Sequence, residues 1–498
     1  MQWRSYSVAT PRRRDEATLA AAVLMAAILL LGYLLSSPAT LWVALAPGLW
    51  LAATHPARLV QLLAITAPTF PVIRIVRDLV GAQQVSTKGL FLSCDDPIIA
   101  ALGVAWMLAQ MRSAHKRTEW FPAALVWLLV LYPMVNFANL ERLEASQTIV
   151  SLLYYLKWSE YAVLLFLLPQ TIRGEEAIRL LSSLGRIMMA VLFVSALYAT
   201  YEIVESVRTG SYTQAAAMPR ASAFFGTLDP ARFGASEDPV NFGVYVMVAG
   251  SIALAIMSAS RRSGWLPSAS FLGGLLALLL SASRAPWLAA AVAFGKINRF
   301  GSSRVMLGAL AVMLAVTGTI AFAPQVWQAS FARVEALSDW QFASEQSAQN
   351  RLQIALNSPV FTIDPYWLIG HGHSSYRFIA EEHLSRVTAG VSRSLYNFLL
   401  TVWYDIGPIG IACWILLFVQ LSRRLGHIQQ RSPLPAARTF AKGLSGALWG
   451  LATAAMFGEV PYSWRVMGVF YLATGVCLAA DQAARSTIAR MASWEVRR

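Results

Sequence analysis

Apolar runs long enough to cross a bilayer recur along the chain, separated by short connections in which arginine is frequent. The runs predict helical spans at 17–36, 38–54, 58–76, 97–111, 120–138, 148–170, 183–205, 240–260, 265–282, 285–297, 304–323, 394–420, 440–458 and 463–482. Span 285–297 is short and 58–76 carries Arg74 near its end, so the pattern allows twelve to fourteen crossings, an even number that puts both ends on one side. One stretch interrupts it: 324–394 is long and polar and lies between spans. A segment of that length that is not a linker usually works on something. The expected fold is all-α, a polytopic transmembrane helix bundle whose long outer loop carries short helices. Four regions follow: an N-terminal bundle over 1–205, a transmembrane region with outer-loop arginines over 206–323, the loop domain over 324–394, and C-terminal helices with a tail over 395–498.

Composition agrees with that class. Of 498 residues, 57% are hydrophobic and 13% charged, and mean hydropathy is +0.52. The net charge of +14 comes from 40 Lys+Arg against 26 Asp+Glu. No separate basic domain or aromatic–basic motif is present, so nucleic acid is not an expected partner. Three cysteines (Cys94, Cys413, Cys477) make neither a disulfide framework nor a CxxC pair, and Cys413 and Cys477 fall inside spans as packing residues. Arg12-Arg13-Arg14 precedes a full-length apolar run without a small-residue cleavage site, which reads as a retained first helix.

Charge sets the orientation. One set of connections holds Arg12 to Arg14, Arg58, Arg112, Lys116, Arg117, Arg173, Arg179, Arg261, Arg262, Lys296, Arg299, Arg304 and the run from Arg423 to Lys442, with Arg485, Arg490, Arg497 and Arg498 in the tail. The short connections of the other set, at 37 and 139–147, hold only Arg142. By the positive-inside rule both ends are cytoplasmic, and 206–239, 283–284, 324–393 and 459–462 face outward, toward the periplasm in a bacterium.

Arginines on the outer side then call for a reason, since guanidinium matches phosphate bidentately and stays charged when partly desolvated. They are Arg208, Arg220 and Arg232 in the first outer loop, Arg284 between two spans, Arg333, Arg351, Arg377, Arg386 and Arg393 in the long loop, and Arg465. Arg208, Arg333 and Arg386 read as headgroup anchors. Arg284 sits in Ser281-Ala282-Ser283-Arg284-Ala285-Pro286-Trp287, where charge is expensive, and Pro286 suits the first turn of a helix. The element reads as helix, polar corner, helix, with Arg284 aimed at an outer cavity.

The loop also holds His371, His373 and His383, three of six histidines. Imidazole titrates near neutrality and suits proton transfer. His371-X-His373 with His383 and Glu381-Glu382 offers a metal site as the alternative, but lacks cysteine and a distinctive spacing. Trp327, Phe331, Val334 and Leu337 have the spacing of a surface-lying helix. Asp95 and Asp96 before Pro97 read as an N-cap, and Asp405 and Glu459 as helix-end or cavity residues.

The corner and the loop resemble the bacterial O-antigen ligase and polymerase superfamily over about 215–415. Its Ser-Arg-Gly-Ala-Trp-Leu element appears as Ser283-Arg284-Ala285-Pro286-Trp287-Leu288, and its loop helix as Arg351-Leu352-Gln353. Its glycine turn is similar to Trp367-Leu368-Ile369-Gly370-His371-Gly372-His373, and its Gly-X-X-Gly to Gly407-Pro408-Ile409-Gly410. Arg220 and Asp238-Pro239-Val240-Asn241 are similar to its outer-loop arginine and Asn-Pro-Asn element. The family histidine falls on Tyr396, followed by Asn397.

This resemblance implies a metal-independent, inverting glycosyltransferase without a cofactor, in the bacterial inner membrane, using undecaprenyl-diphosphate-linked oligosaccharide and meeting membrane lipid. Arg220, Arg284 and Arg351 would hold the diphosphate, with Arg232 and Arg377 as further candidates. His373, then His371, would be the base, Tyr396 would position the acceptor, and Asn397 and Glu459 would line its path. The missing family histidine tilts the reading toward a polysaccharide polymerase with a chain-length regulator as partner. The alternatives are an O-antigen ligase acting on lipid A-core, protein O-glycosylation, and a flippase or exporter of the lipid-linked glycan. The last predicts charges within spans and a repeat between halves, and no repeat is visible.

Overall fold

In a computed structural model, residues 12–34, 42–69, 72–74, 91–93, 95–112, 122–139, 145–209, 239–259, 265–281, 283–297, 366, 368–373, 397–458 and 460–495 are described. The predicted span at 304–323, the surface helix near Trp327 and most of the long loop lie outside them.

The helices follow the apolar runs closely. They are α1 (Arg12–Leu34), α2 (Leu45–Thr54), α3 (Pro56–Thr69), α4 (Asp96–Arg112), α5 (Ala123–Ala138), α6 (Ala145–Ala162), α7 (Leu164–Thr171) and α8 (Gly174–Thr209). After them come α9 (Pro239–Ala259), α10 (Trp265–Leu280), α11 (Arg284–Ile297), α12 (Phe398–Arg431), α13 (Pro435–Ala455) and α14 (Trp464–Glu495). Among the described residues, five segments are long and apolar enough to cross a bilayer: Ser151–Thr171, Gly174–Tyr201, Val240–Ala259, Phe398–Arg431 and Val466–Trp494. The protein is a multi-pass helical membrane bundle.

Several boundaries differ from expectation, with α12 running on to Arg431 and α14 to Glu495. The run at 58–76 stops being helical at Thr69, because Pro68 and Pro71 follow one another closely, and Val72–Arg74 (β1) pairs antiparallel with Phe91–Ser93 (β2). The span at 148–170 is two helices separated at Val163. Helix α8 begins at Gly174, earlier than hydropathy suggests, because its acidic and basic first turns continue the same helix.

One continuous apolar core runs from α1 to α14. Helix α14 packs on α7, α8 and α6, so C-terminal residues sit among N-terminal helices. Helix α13 lies against α9 and α11 through Gly443, Gly446 and Gly450, where a methyl group would overlap Ile252, Ile297 and Met247. Small residues permit this approach, and dispersion between close backbones drives association where lipid is as apolar as the core.

A buried charge cluster also ties α4 to α6. Lys157, inside the Ser151–Thr171 segment, pairs with Asp96 and, at 3.2 Å, with Glu160. Tyr161 donates to Asp95 at 2.5 Å. The two aspartates therefore do more than open α4, which the sequence suggested. They answer an ammonium group and a phenol that the apolar run conceals.

Candidate active site

The corner predicted around Arg284 forms as expected. Helix α10 ends at Leu280, α11 starts at Arg284, and Trp287 Nε1 donates back to Leu278 O at 2.7 Å, fixing the turn. Pro286 takes the first turn, where its missing N–H matters least. The side chain of Arg284 lies outside the described residues, as do Arg220, Arg232, Arg351, Arg377, Tyr396 and Glu459.

The glycine turn is described, and it docks onto a break in α12. Ile406 (φ −136°, ψ 20°) and Gly407 (φ 66°, ψ −173°) leave helical geometry, and Pro408 follows. Proline has no N–H, so the carbonyl of Tyr404, four residues earlier, loses its intrahelical donor. His371 N supplies one at 2.8 Å, and Gly372 N donates to Asp405 O at 2.9 Å. The loop thus completes the hydrogen bonding that the kink leaves open. The loop at Gly370 (φ 88°) and the break at Gly407 meet so closely that a Cβ on Gly370 would overlap the Asp405 backbone and one on Gly407 the Leu368 backbone.

Two other helices hold the loop from the opposite side. Asn139 Nδ2 donates to Gly370 O at 3.1 Å, Asn136 Oδ1 accepts from His373 N at 2.6 Å, and Ser151 Oγ donates to His373 O. Asn136, Asn139 and Ser151 are fully or almost fully buried. Buried amides and hydroxyls of this kind are retained when they satisfy backbone groups that water cannot reach.

This double anchoring sends the two histidines different ways. The His371 ring stacks on Tyr404, centroids 4.3 Å apart at 23°, with Tyr366 at 5.8 Å. His373, 2% exposed, has Nδ1 at 3.1 Å from Oδ2 of Asp405, which is 0% exposed. With Nδ1 as the donor to this carboxylate, Nε2 is the ring nitrogen left to accept. Among the described residues Nε2 has no hydrogen-bond partner. Tyr132 and Tyr462 press edge-on against the imidazole at 4.9 and 4.8 Å, their hydroxyls sharing a 2.6 Å hydrogen bond. Trp414 Nε1 donates to the Tyr132 hydroxyl at 3.0 Å. Desolvation and the neighbouring Asp405 carboxylate push the Tyr462 pKa well up, so it stays a phenol.

The predicted acceptor residue Asn397 is the N-cap of α12. Its Oδ1 accepts from Leu399 N at 2.9 Å and Leu400 N at 3.2 Å, and its Nδ2 donates to Met456 O at 3.3 Å. It thereby positions the entry of α12 beside the connection to Val460–Tyr462. Among the described residues no group of three or more His, Cys, Asp or Glu side chains is placed to hold a metal ion. Tyr132 and Asn136 are residues that the sequence did not single out, and Asp405 stood there only as a helix-end or cavity residue. The only signal available was a polar residue within an apolar run, which Asp405 and Asn136 each are.

Residues 269–415 match the family model described as O-antigen ligase. That interval contains the Arg284 corner, the glycine turn and the kinked start of α12. No curated protein matches the chain.

Proposed function

Taking as premise a chain that carries the O-antigen ligase domain of the ligase and polymerase superfamily, we propose that it is an inner-membrane polymerase of lipid-linked glycan repeat units. It transfers glycan from undecaprenyl diphosphate to a sugar hydroxyl on the periplasmic face, building O-antigen, capsule or exopolysaccharide. The observation that carries this reading is the imidazole of His373, seated on the kink of α12 with Nδ1 against Asp405 and Nε2 unpaired among the described residues.

Transfer needs charge stabilisation for the departing diphosphate and a destination for the acceptor proton. Arg220, Arg284 and Arg351 take the first role, with Arg232 and Arg377 in support. His373 takes the second, with His371 ranked after it, and Tyr396, Asn397 and Glu459 line the acceptor path. A diphosphate is already a good leaving group, so a metal-independent inverting displacement suffices. A chain-length regulator is the expected protein partner.

The polymerase reading rests on Tyr396 standing where the family histidine falls. The description of the matching family favours a ligase joining finished chains to lipid A-core as the second reading. Deleting the gene and resolving surface glycans by size separates them. Single-repeat material supports a polymerase, long chains never attached to core support a ligase, and unchanged glycans would overturn both.

A further inference from the structure

We propose that Asp405 is a positioning residue for glycosyl transfer, holding His373 in the one tautomer and orientation in which Nε2 takes the acceptor proton. The proposal rests on the transferase reading above and adds to it a residue that neither the family's sequence elements nor the charge pattern marks out.

Three observations carry it. The first is asymmetry within one ring. Nδ1 is answered by a carboxylate at 3.1 Å, while Nε2 has no partner among the described residues although His373 is 2% exposed.

The second observation is the fixity of both partners. The His373 backbone is held at N by Asn136 and at O by Ser151, and the preceding residues are held by the carbonyls of Tyr404 and Asp405. Asp405 thus fastens the loop with its carbonyl, through Gly372 N, and orients the imidazole with its carboxylate. Its position depends on the helix break that Gly407 and Pro408 create.

The third is the surrounding wall. Tyr132 from α5 and Tyr462 from the Val460–Tyr462 turn contact the ring edge-on, and Trp414 from α12 fixes the Tyr132 hydroxyl. These rings block rotation of the imidazole by packing, so the carboxylate decides which nitrogen is protonated and the walls decide where the other points. Supporting one side of a catalytic imidazole so that its other side works as a base is a general arrangement in acyl and group transfer.

The step balances without another reactant. The acceptor hydroxyl oxygen forms a bond to the anomeric carbon while the bond from that carbon to the diphosphate oxygen breaks, its electron pair leaving on undecaprenyl diphosphate. The hydroxyl proton passes to Nε2, and the imidazolium, stabilised by Asp405, releases it to water on the outer side.

The test uses the full-length chain in membrane vesicles, with lipid-linked oligosaccharide extracted from cells lacking this gene as donor. Rates are divided by the amount of folded protein, read from a monodisperse fluorescent peak in detergent. Asp405→Asn should lower kcat at least about 100-fold with KM for the donor unchanged. Asp405→Glu should restore part of that loss, and His373→Gln should be as impaired as Asp405→Asn, with little added in the double variant. If His373→Gln is inactive while Asp405→Asn turns over at the wild-type kcat, the positioning role is wrong and the transferase reading stands. If Asp405→Asn loses only folded protein, or raises KM with kcat intact, Asp405 is a purely structural residue and the proposal also fails. If the wild-type chain itself makes no product from this donor, the transferase reading falls and the proposal with it.

Discussion

The amide of His371 donates to the carbonyl of Tyr404 at 2.8 Å while the His371 ring stacks on the Tyr404 ring at 4.3 Å. Backbone and side chain thus join the loop to α12 at the same residue, one turn before Pro408. The carbonyl is available because proline cannot donate to it. A sequence feature of α12 therefore creates the docking point for a loop that precedes it in the chain.

Pro408→Ala gives Tyr404 O an intrahelical donor that competes with His371 N. The expected result is a straighter α12 and a loop held less firmly, by roughly 1 kcal/mol for the hydrogen bond alone. Cysteine introduced at His371 should become more reactive toward a membrane-impermeant maleimide in the Pro408→Ala background. Unaltered labelling would count against the latch.

Gly370→Ala places a methyl group on the Asp405 backbone at a φ of 88°. Left-handed geometry costs a residue with a Cβ about 1–2 kcal/mol, and the overlap adds to it. Thermal stability in detergent should fall by several degrees and transfer should be lost. Gly426→Ala, where a Cβ meets no neighbouring atom, is the matched control and should change neither.

Arg284→Ala and Arg351→Ala should each reduce product at least about 100-fold, the usual effect of removing one group that stabilises developing negative charge. Because Arg284 begins α11, alanine there leaves the helix intact. Full activity in both variants would eliminate the assigned diphosphate site.

Lys157→Met leaves Asp96 and Glu160 without their counter-charge inside the bundle. Breaking one side of a buried pair typically costs about 3–5 kcal/mol. The double variant Lys157→Met, Asp96→Leu should recover much of the loss in a thermal-shift measurement. A double variant no more stable than the single one would show that the pairing is not what α6 contributes.

Asn397→Ala should lower stability by about 1 kcal/mol through loss of the cap, and Asn397→Asp should retain it. If Asn397→Asp keeps stability and loses transfer, the amide also serves the acceptor path. Equal activity in Asn397→Asp and wild type would confine the residue to capping.

The helices were legible because span length, apolar composition and arginine distribution are local properties set by the bilayer. The corner at Ser283 to Trp287 and the turn at Gly370 to His373 were legible as well, since proline and glycine restrict or release the backbone wherever they stand. Pairings across the bundle were not. Asp405 read as a helix-end or cavity residue, and nothing in the sequence singled out Lys157 within the predicted span at 148–170. What gave each a role was a partner 32 residues away in the chain for Asp405 and 61 for Lys157.

The chain by itself determined that it would be a membrane bundle with positive connections and a polar loop holding arginine and histidine, because hydration of side chains decides those matters residue by residue. Only the tertiary structure decided that His373 rather than His371 faces a carboxylate, and that Asn136, Asn139 and Ser151 hold the loop. Both outcomes depend on carbonyls released by a helix break and on polar side chains from α5 and α6 meeting the loop in space. Such meetings are properties of packing, which one-dimensional periodicity does not encode.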